Sequence, residues 1–412
     1  MITNMNTSKV DLKIEKIVFD GAGLGKLPSG KSVFIPFTLP GEIVRAQIIE
    51  EKKDYALARL IEILNPSPER CLPRCVHFGE CGGCQWQHIN YDTQIEIKKG
   101  ILSEQWQRIA KIQHLPDIET LPSVKGWNYR ASLQFRLDEK GGLGFSRMKD
   151  EGVISIRECH LPCEDVAQIW PKLKFESGSH VQRVEVRAGY DGDVLVTLQG
   201  KSGQVPEIET DLPISIAFIS SLGTSILAGD DHILISVLDR KFRVSPGAFF
   251  QVNPGGAEKM VQWVMQHAGS GHTVIDAYCG GGLFSAFLAP HFNRVVSIEA
   301  APPACEDFVV NLDEFDNIGL YQGAVEAVLP SLKIKPDLVL LDPPRSGLGL
   351  RVVESILSIA PKRIIYISCD PATLARDARP LLAGGYRLQD CVLCDMFPQT
   401  YHIESINYFV KE

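Results

Sequence analysis

The chain has 412 residues, a formal charge of −8, 45% hydrophobic and 22% charged residues, and 11 cysteines. It is longer than one ordinary domain of about 100 to 200 residues, and its composition excludes a disordered, collagen-like or coiled-coil chain. It is too acidic to bind polyanions through its overall field.

No apolar run reaches the roughly 18 to 20 residues of a membrane span, and residues 1–10 lack the apolar core of a secretion signal. A cytoplasmic protein with no membrane partner is expected. Eleven thiols in a reducing compartment point to metal or thiol chemistry rather than to disulfides.

From Val10 to Ile63 four or five short β-like runs predict a small barrel. Gly21, Gly23 and Gly25 fall between two of them, and with no helical pattern following they read as a hairpin needing positive φ rather than as a nucleotide loop. Asn65-Pro66-Ser67-Pro68 reads as a linker. Cys71, Cys75, Cys81 and Cys84 follow it, and Tyr91 to Ile112 then reads as an amphipathic helix with Ile95, Ile101, Leu102, Trp106 and Ile109 near one face and Lys98, Lys99 and Arg108 largely elsewhere. Period-two stretches such as Ser132 to Leu137, Val181 to Val186 and Val194 to Leu198 make the middle region mainly β.

Beyond Asn253-Pro254 strands alternate with helix-length segments: Thr273 to Ala277, Arg294 to Ile298, Asp337 to Leu341, Arg363 to Ser368, Cys391 to Phe397 and Ile406 to Val410. That grammar predicts a mostly parallel, doubly wound sheet. Asp276 lies at the end of the first strand, and Tyr278 to Gly282 form a glycine turn that feeds a helix near Leu283. Glu299 closes the next strand, close to the spacing of about 20 residues expected of an acid holding a ribose diol. Such a pocket serves NAD or S-adenosylmethionine. Asp342-Pro-Pro-Arg345 after the third strand decides between them, because proline ends the strand and projects Asp342 into the ligand crevice, a turn typical of nucleic-acid methyltransferases. Cys369 ends the fourth strand beside the same crevice, where amide dipoles of the next helix are expected to lower its pKa.

These residues carry a resemblance. Asp342-Pro-Pro-Arg345, Ser368-Cys-Asp-Pro-Ala-Thr-Leu-Ala-Arg-Asp377 and Asp395 to Ser405 look like the motifs of the RNA uracil-5-methyltransferase family. Phe249 to Asn253 and the first sixty residues, which resemble its RNA-binding TRAM barrel, extend the similarity over nearly the whole chain. The resemblance implies a multidomain α/β protein: an OB-like TRAM β-barrel over residues 1–64, a mainly β middle domain over 65–250 holding an iron-sulfur cluster and a helix near 91–112, and a Rossmann-like class I methyltransferase domain over 251–412.

By position in the family motifs, Cys369 is the nucleophile and Glu404 the general base. Carbon 5 of uracil is a poor nucleophile, so a thiolate must first add to carbon 6, and a carboxylate must later remove the carbon-5 proton. His402 and Glu404, two apart in a strand-like run, are expected to share a face. By similarity Gln251, Tyr278, Gly280, Gly282, Glu299 and Asp342 contact S-adenosylmethionine. Leu283 and Ala324 depart from the family, which often has polar residues there.

Cys75, Cys81 and Cys84 have the spacing C-x5-C-x2-C, and the family places a fourth ligand at Cys159. Four thiolates fit zinc or a [4Fe-4S] cluster; resemblance favours the cluster, with Cys71 and Cys163 as spectators. The expected partner is structured RNA, 23S ribosomal RNA in preference to tRNA because the chain combines a barrel with four cluster cysteines, and no obligate protein partner is evident. Candidate RNA contacts are Lys98, Lys99, Arg108, Lys111, Arg130, Arg136, Arg147 and Lys149, with Trp127, Phe135 and Phe145 for stacking. Competing readings are a tRNA enzyme, a base amino-group methyltransferase with no use for Cys369, and an iron-sulfur RNA-binding protein without catalysis.

Overall fold

The computed structural model describes residues 9–148, 152–201 and 203–412. Strands β1 (Lys9–Ile17), β2 (Gly23–Lys26), β3 (Ser32–Ile35), β4 (Ile43–Glu51) and β5 (Tyr55–Asn65) close a barrel in the order β1-β2-β3-β5-β4. Alternation puts Ile14, Val33, Ile35, Val44, Ala46 and Ala56 in its interior. Of the three turn glycines only Gly21 has positive φ; Gly23 and Gly25 lie inside β2, where a Cβ would strike Thr38 and Leu12.

Helix α1 (Tyr91–Gln105) starts at Asn90, whose side chain accepts from the Thr93 amide. Its buried stripe is Gln94, Ile95, Lys98, Ile101, Leu102 and Gln105, so Lys98 does not share the solvent with Arg108 as expected. A π-helical turn over Trp106–Ala110 and a short strand, β6 (Ile118–Leu121), follow. Strands β7 (Ser132–Leu137), β8 (Leu143–Ser146), β9 (Val153–Ser155), β10 (Val181–Ala188), β11 (Val194–Gly200), β12 (Ser215–Ser220) and β13 (Gly223–Ala228) form a seven-stranded sheet in the order β13-β12-β11-β10-β7-β8-β9, packed on α2 (Glu164–Ile169). The hairpin β14 (Ile233–Val237) and β15 (Arg240–Val244) leads to the C-terminal part.

There α3 (Pro254–Ala268) precedes β16 (Gly271–Ala277), α4 (Leu283–Leu288), β17 (Phe292–Glu299), α5 (Pro302–Asn311), β18 (Ile318–Gln322), α6 (Val325–Val328), β19 (Leu338–Leu341), α7 (Gly349–Ile359), β20 (Arg363–Ser368), α8 (Pro371–Ala383), β21 (Tyr386–Cys394) and β22 (Glu404–Lys411). The sheet order is β18-β17-β16-β19-β20-β22-β21-β6. Seven of the eight strands run in one direction, β22 alone runs against them between β20 and β21, and the order reverses at β16 and β19, the switch point where ligands bind in such sheets.

β6 pairs in parallel with β21, Ile118 opposite Cys391, and the π-helical turn packs on α8. The helix expected within the middle domain therefore lies against the C-terminal sheet, which residues 118–121 extend by one strand. Among the described residues no helix is long and apolar enough to cross a membrane.

Candidate active site

Five neighbouring strands each deliver one expected residue to the same edge of the C-terminal sheet. In the strand register, Ala277 stands opposite both Ile298 and Leu341, and Leu341 opposite Tyr366. Glu299, Tyr278 and Asp342 thus emerge side by side. Ser368 pairs with Ser405, so Cys369 faces Glu404 across the β20 to β22 step and shares its side of the sheet. At about 4.8 Å per strand, Glu299 lies roughly 14 Å from Cys369, and the thiol is one spacing from the carboxyl.

The glycine turn is built for a ligand on one side and for packing on the other. At Gly280 (φ +53°) an added Cβ would meet nothing within 4 Å, whereas at Gly282 (φ +91°) it would strike Leu312 and Phe308. Gly280 donates its amide to Glu299 Oε2 at 2.9 Å, and the amides of Ala300 and Ala301 donate to Oε1 at 2.8 and 2.7 Å. Tyr278 also has positive φ (+64°), and its hydroxyl donates to Glu326 at 3.3 Å. Leu283 is buried and Ala324 caps α6 without a side-chain hydrogen bond, so no polar side chain replaces those the family often has at these two positions. Gln251, in the segment before α3, reaches Asp342 Oδ2 at 3.5 Å.

Three acids of this edge are held above the usual carboxylate range. Burial raises Asp342 to about 7, with Asp276 adding to the effect. Asp276 is itself raised to about 7 by burial, although Ser285 donates to its Oδ2 at 2.6 Å, and its Oδ1 has no partner. Glu404, 5% exposed, is pushed well above the carboxylate range by burial and by Asp342, with Arg345 opposing. Cys369 rises to about 12 through burial first, then Glu404 and Asp342, again opposed by Arg345.

The expected activation of Cys369 by helix amides is therefore not found. Asp370 caps α8 and accepts from the amides of Ala372 and Thr373, both at 2.9 Å, so those donors serve the neighbouring carboxylate. The cation that favours the thiolate is Arg345, a residue that the Asp-Pro-Pro-Arg motif displayed but to which the sequence alone gave no role. His402 does not share a strand face with Glu404, since β22 begins at Glu404. Its Nδ1 lies 3.3 Å from Arg345 Nη2, and burial together with that cation pushes the ring down to about 4, leaving it neutral to accept.

Cys75, Cys81, Cys84 and Cys159 line one cavity of about 170 Å³ at the junction of the cysteine loop with β7 and β8, which Cys71 and Cys163 do not line. Burial raises Cys84 to about 12 and Cys159 to about 11, and the neighbouring thiols add to both. Among the described residues no group of three or more His, Cys, Asp or Glu side chains is arranged to hold a single metal ion.

Of the candidate RNA contacts, Lys98 is fully buried in an ion pair with Asp395, and Phe135 is buried beneath Phe145. Neither can meet a ligand. Arg108, Lys111, Arg136 and Arg147 are exposed, Lys99, Arg130, Trp127 and Phe145 partly so, and Lys149 lies outside the described residues.

The strand order, the glycine turn and the acid that ends β17 define a class I methyltransferase fold. Residues 213–412 match the family model for tRNA (uracil-5-)-methyltransferases, and residues 4–61 match the TRAM domain. An uncharacterized RNA methyltransferase of Aquifex aeolicus is 35% identical over 98% of both chains, and another of Halalkalibacterium halodurans is 32% identical over 96% of both. The solved tRNA (uracil-54, C5)-methyltransferase of Pyrococcus abyssi, in complex with S-adenosyl-L-homocysteine, is similar over 97% of this chain and 100% of its own, with a TM-score of 0.77 and 25% identity. The chain belongs to the RNA (uracil-5-)-methyltransferase family, whose members use S-adenosylmethionine to methylate RNA.

Proposed function

We propose that this enzyme methylates carbon 5 of a uridine in structured RNA through a covalent adduct with Cys369. The observation that carries the reading is the register that sets Cys369 opposite Glu404, at the end of the row running from Glu299 through Asp342. S-adenosylmethionine supplies an electrophilic methyl group on a sulfonium. Glu299 and the open face of Gly280 suit its ribose, and Tyr278, Gln251 and Asp342 are placed for the remainder, while Gly282, expected as a contact, packs on Leu312 and Phe308 and only shapes the turn. The Cys369 thiolate adds to carbon 6 of the uracil, placing electron density on carbon 5, which takes the methyl group as the methyl–sulfur bond breaks and its electron pair stays on the departing neutral thioether. Glu404 then removes the carbon-5 proton, the C5–C6 double bond re-forms, and the C6–S bond breaks with its electron pair returning to sulfur.

The charge pattern supports a cationic cosubstrate. Asp342 opposes the ionisation of Glu404, both oppose that of Cys369, and Arg345 is the cation that Glu404 and Cys369 share. A sulfonium placed among them favours the thiolate that the addition requires; methyl transfer turns it into a neutral thioether, so at the later proton abstraction Arg345 is the cation that favours ionised Glu404. Arg345 favours the thiolate and is held through its contact with His402.

Cys75, Cys81, Cys84 and Cys159 would hold a [4Fe-4S] cluster, whose bonds would join the cysteine loop to the segment after β9. What supports this reading is that the four thiols line one cavity, together with His77, Glu158 and His160. The thiols' mutual repulsion as anions is the effect that iron relieves.

For the target, the barrel together with four cluster cysteines favours 23S ribosomal RNA. A second reading, tRNA, is favoured by the Pyrococcus abyssi enzyme, a tRNA methyltransferase similar over the full length, barrel included. Labelled S-adenosylmethionine offered with 23S rRNA and with tRNA from a strain lacking this gene separates them. Nucleoside mass spectrometry should find 5-methyluridine in the rRNA. Its appearance in tRNA alone supports the second reading, and a methylated amino group on any base overturns both.

A further inference from the structure

The loop Asp395–Thr400, which leads from β21 towards His402 and Glu404, is held from outside its own sheet. Lys98 of α1, fully buried, donates to Asp395 Oδ1 at 2.7 Å and to the Phe397 carbonyl at 3.0 Å. One turn earlier, Gln94 donates through Nε2 to Gln399 Oε1 at 3.1 Å and to the Ile89 carbonyl at 2.9 Å, while its Oε1 accepts the Gln399 amide at 2.9 Å. The Gln399 carbonyl accepts from the amides of Gln85 and Trp86 at 3.1 and 3.0 Å, and Tyr129 donates its hydroxyl to the Pro398 carbonyl at 3.1 Å. Gln399 is held at φ +69°, a conformation most residues avoid.

Stability alone does not account for this arrangement. Burying a lysine and an aspartate costs several kcal/mol per ion before their attraction is counted, and an apolar pair of similar volume is often as stable. Here one carboxylate oxygen, Asp395 Oδ2, has no close hydrogen bond, with only the Tyr91 hydroxyl near the carboxylate. What the pair does supply is a fixed position for the first half of the loop, Asp395 to Phe397, as Gln94, Gln85, Trp86 and Tyr129 do for Pro398 and Gln399. The loop ends in His402, His402 contacts Arg345, and Arg345 is the charge that favours the ionised Glu404.

We propose that Lys98 and Gln94 are positioning residues for proton abstraction: by clamping the Asp395–Thr400 loop they hold His402 and Arg345 where Glu404 can take the carbon-5 proton. The proposal rests on the reading of Cys369 and Glu404 given above. In the step concerned, the carbon-5 proton passes to the Glu404 carboxylate, its bonding pair becomes the C5–C6 double bond, and the C6–S bond breaks towards sulfur. Loosening the clamp slows that step and leaves the earlier ones, so methylated RNA stays attached to the enzyme.

The test uses Lys98→Met and Gln399→Gly. The second tolerates positive φ and loses only the side chain that meets Gln94, so it decides the matter if the first fails to fold. Turnover on target RNA, S-adenosylmethionine affinity by calorimetry, the pH profile of turnover and the fraction of enzyme bonded to RNA on denaturing gels are measured beside Glu404→Gln. Turnover should fall by about 10²-fold with cofactor affinity unchanged. Methylated adduct should accumulate, and the midpoint of the pH profile should move upward as Arg345 loses its hold. Wild-type turnover in both variants, or slowed turnover with no adduct while Glu404→Gln accumulates it, overturns the clamp. Absence of adduct in Glu404→Gln overturns the assignment of the base itself.

Discussion

Two sites in this molecule hold thiols whose ionisation is suppressed, and they differ in what suppresses it. In the cavity at the cysteine loop, burial is reinforced by the other thiols: Cys84 is raised by Cys159, Cys81 and Cys75. At the sheet edge, burial of Cys369 is reinforced by two carboxyls, Glu404 and Asp342, and opposed by Arg345. The cysteine loop holds other charges too, since Glu158 adds to the rise of Cys75 and Arg130 opposes that of Cys159, but four sulfurs share one cavity there, which under the proposed function is the place for a metal, whereas one sulfur among acids suits a sulfonium that comes and goes. Under the proposed function that difference is the one between ligand thiols and a reacting thiol.

The comparison breaks most directly by exchanging the fates of the two sites. Cys369→Ala should reduce methylation by about 10⁴-fold or more while leaving S-adenosylmethionine binding in calorimetry unchanged, since the thiol acts on the base and not on the cofactor. Residual activity near wild type would return the amino-group reading.

Cys81→Ser should have the opposite signature. Iron content and visible absorbance of anaerobically purified protein are lost, and the melting temperature falls by several degrees, the scale of about 1 to 2 kcal/mol. Cofactor affinity is kept, because the cavity lies beside the seven-stranded sheet. Wild-type protein without iron or zinc would remove the metal from the account.

A smaller effect sharpens the sheet edge. Asp342 is raised to about 7, so its carboxyl is protonated below that value and ionised above it. A sulfonium favours the ionised form, and affinity for S-adenosylmethionine should therefore rise by about tenfold between pH 6 and pH 8 and level off above. Asp342→Asn should bind more weakly and lose that slope. For stability the sign reverses: a carboxyl raised in the folded state makes a contribution that is lost as pH climbs from about 4 towards 7, so the ligand-free protein should melt at higher temperature near pH 5 than this group alone would allow at pH 8.

Much of this site was readable before any coordinates. Strand-terminal position alone brought Asp276, Glu299, Asp342 and Cys369 to one edge, because in a parallel sheet every carboxyl end points the same way, and the motif resemblance added Glu404. The cofactor turn was equally plain, since Gly280 and Gly282 stand where a strand meets a helix. Three things were not. Asp370 captures the helix amides expected to serve Cys369, a competition between neighbours that spacing does not reveal. β6 crosses to the far sheet because four residues pair with β21, and so short a strand carries almost no periodicity. Lys98 sits at the centre of the buried stripe of α1, in line with Gln94, Leu102 and Gln105; its position carried the signal, but a lysine there is read as solvent-facing until Asp395 is seen opposite.

The adduct itself offers the most direct measurement. With fluorine in place of the carbon-5 hydrogen there is no proton for Glu404 to remove, so target RNA carrying 5-fluorouridine and incubated with S-adenosylmethionine should become bonded to the enzyme and stay so. Peptide mass spectrometry should then find the nucleotide on Cys369. A stable complex mapped to any other side chain, or methylated product released without one, would contradict the account.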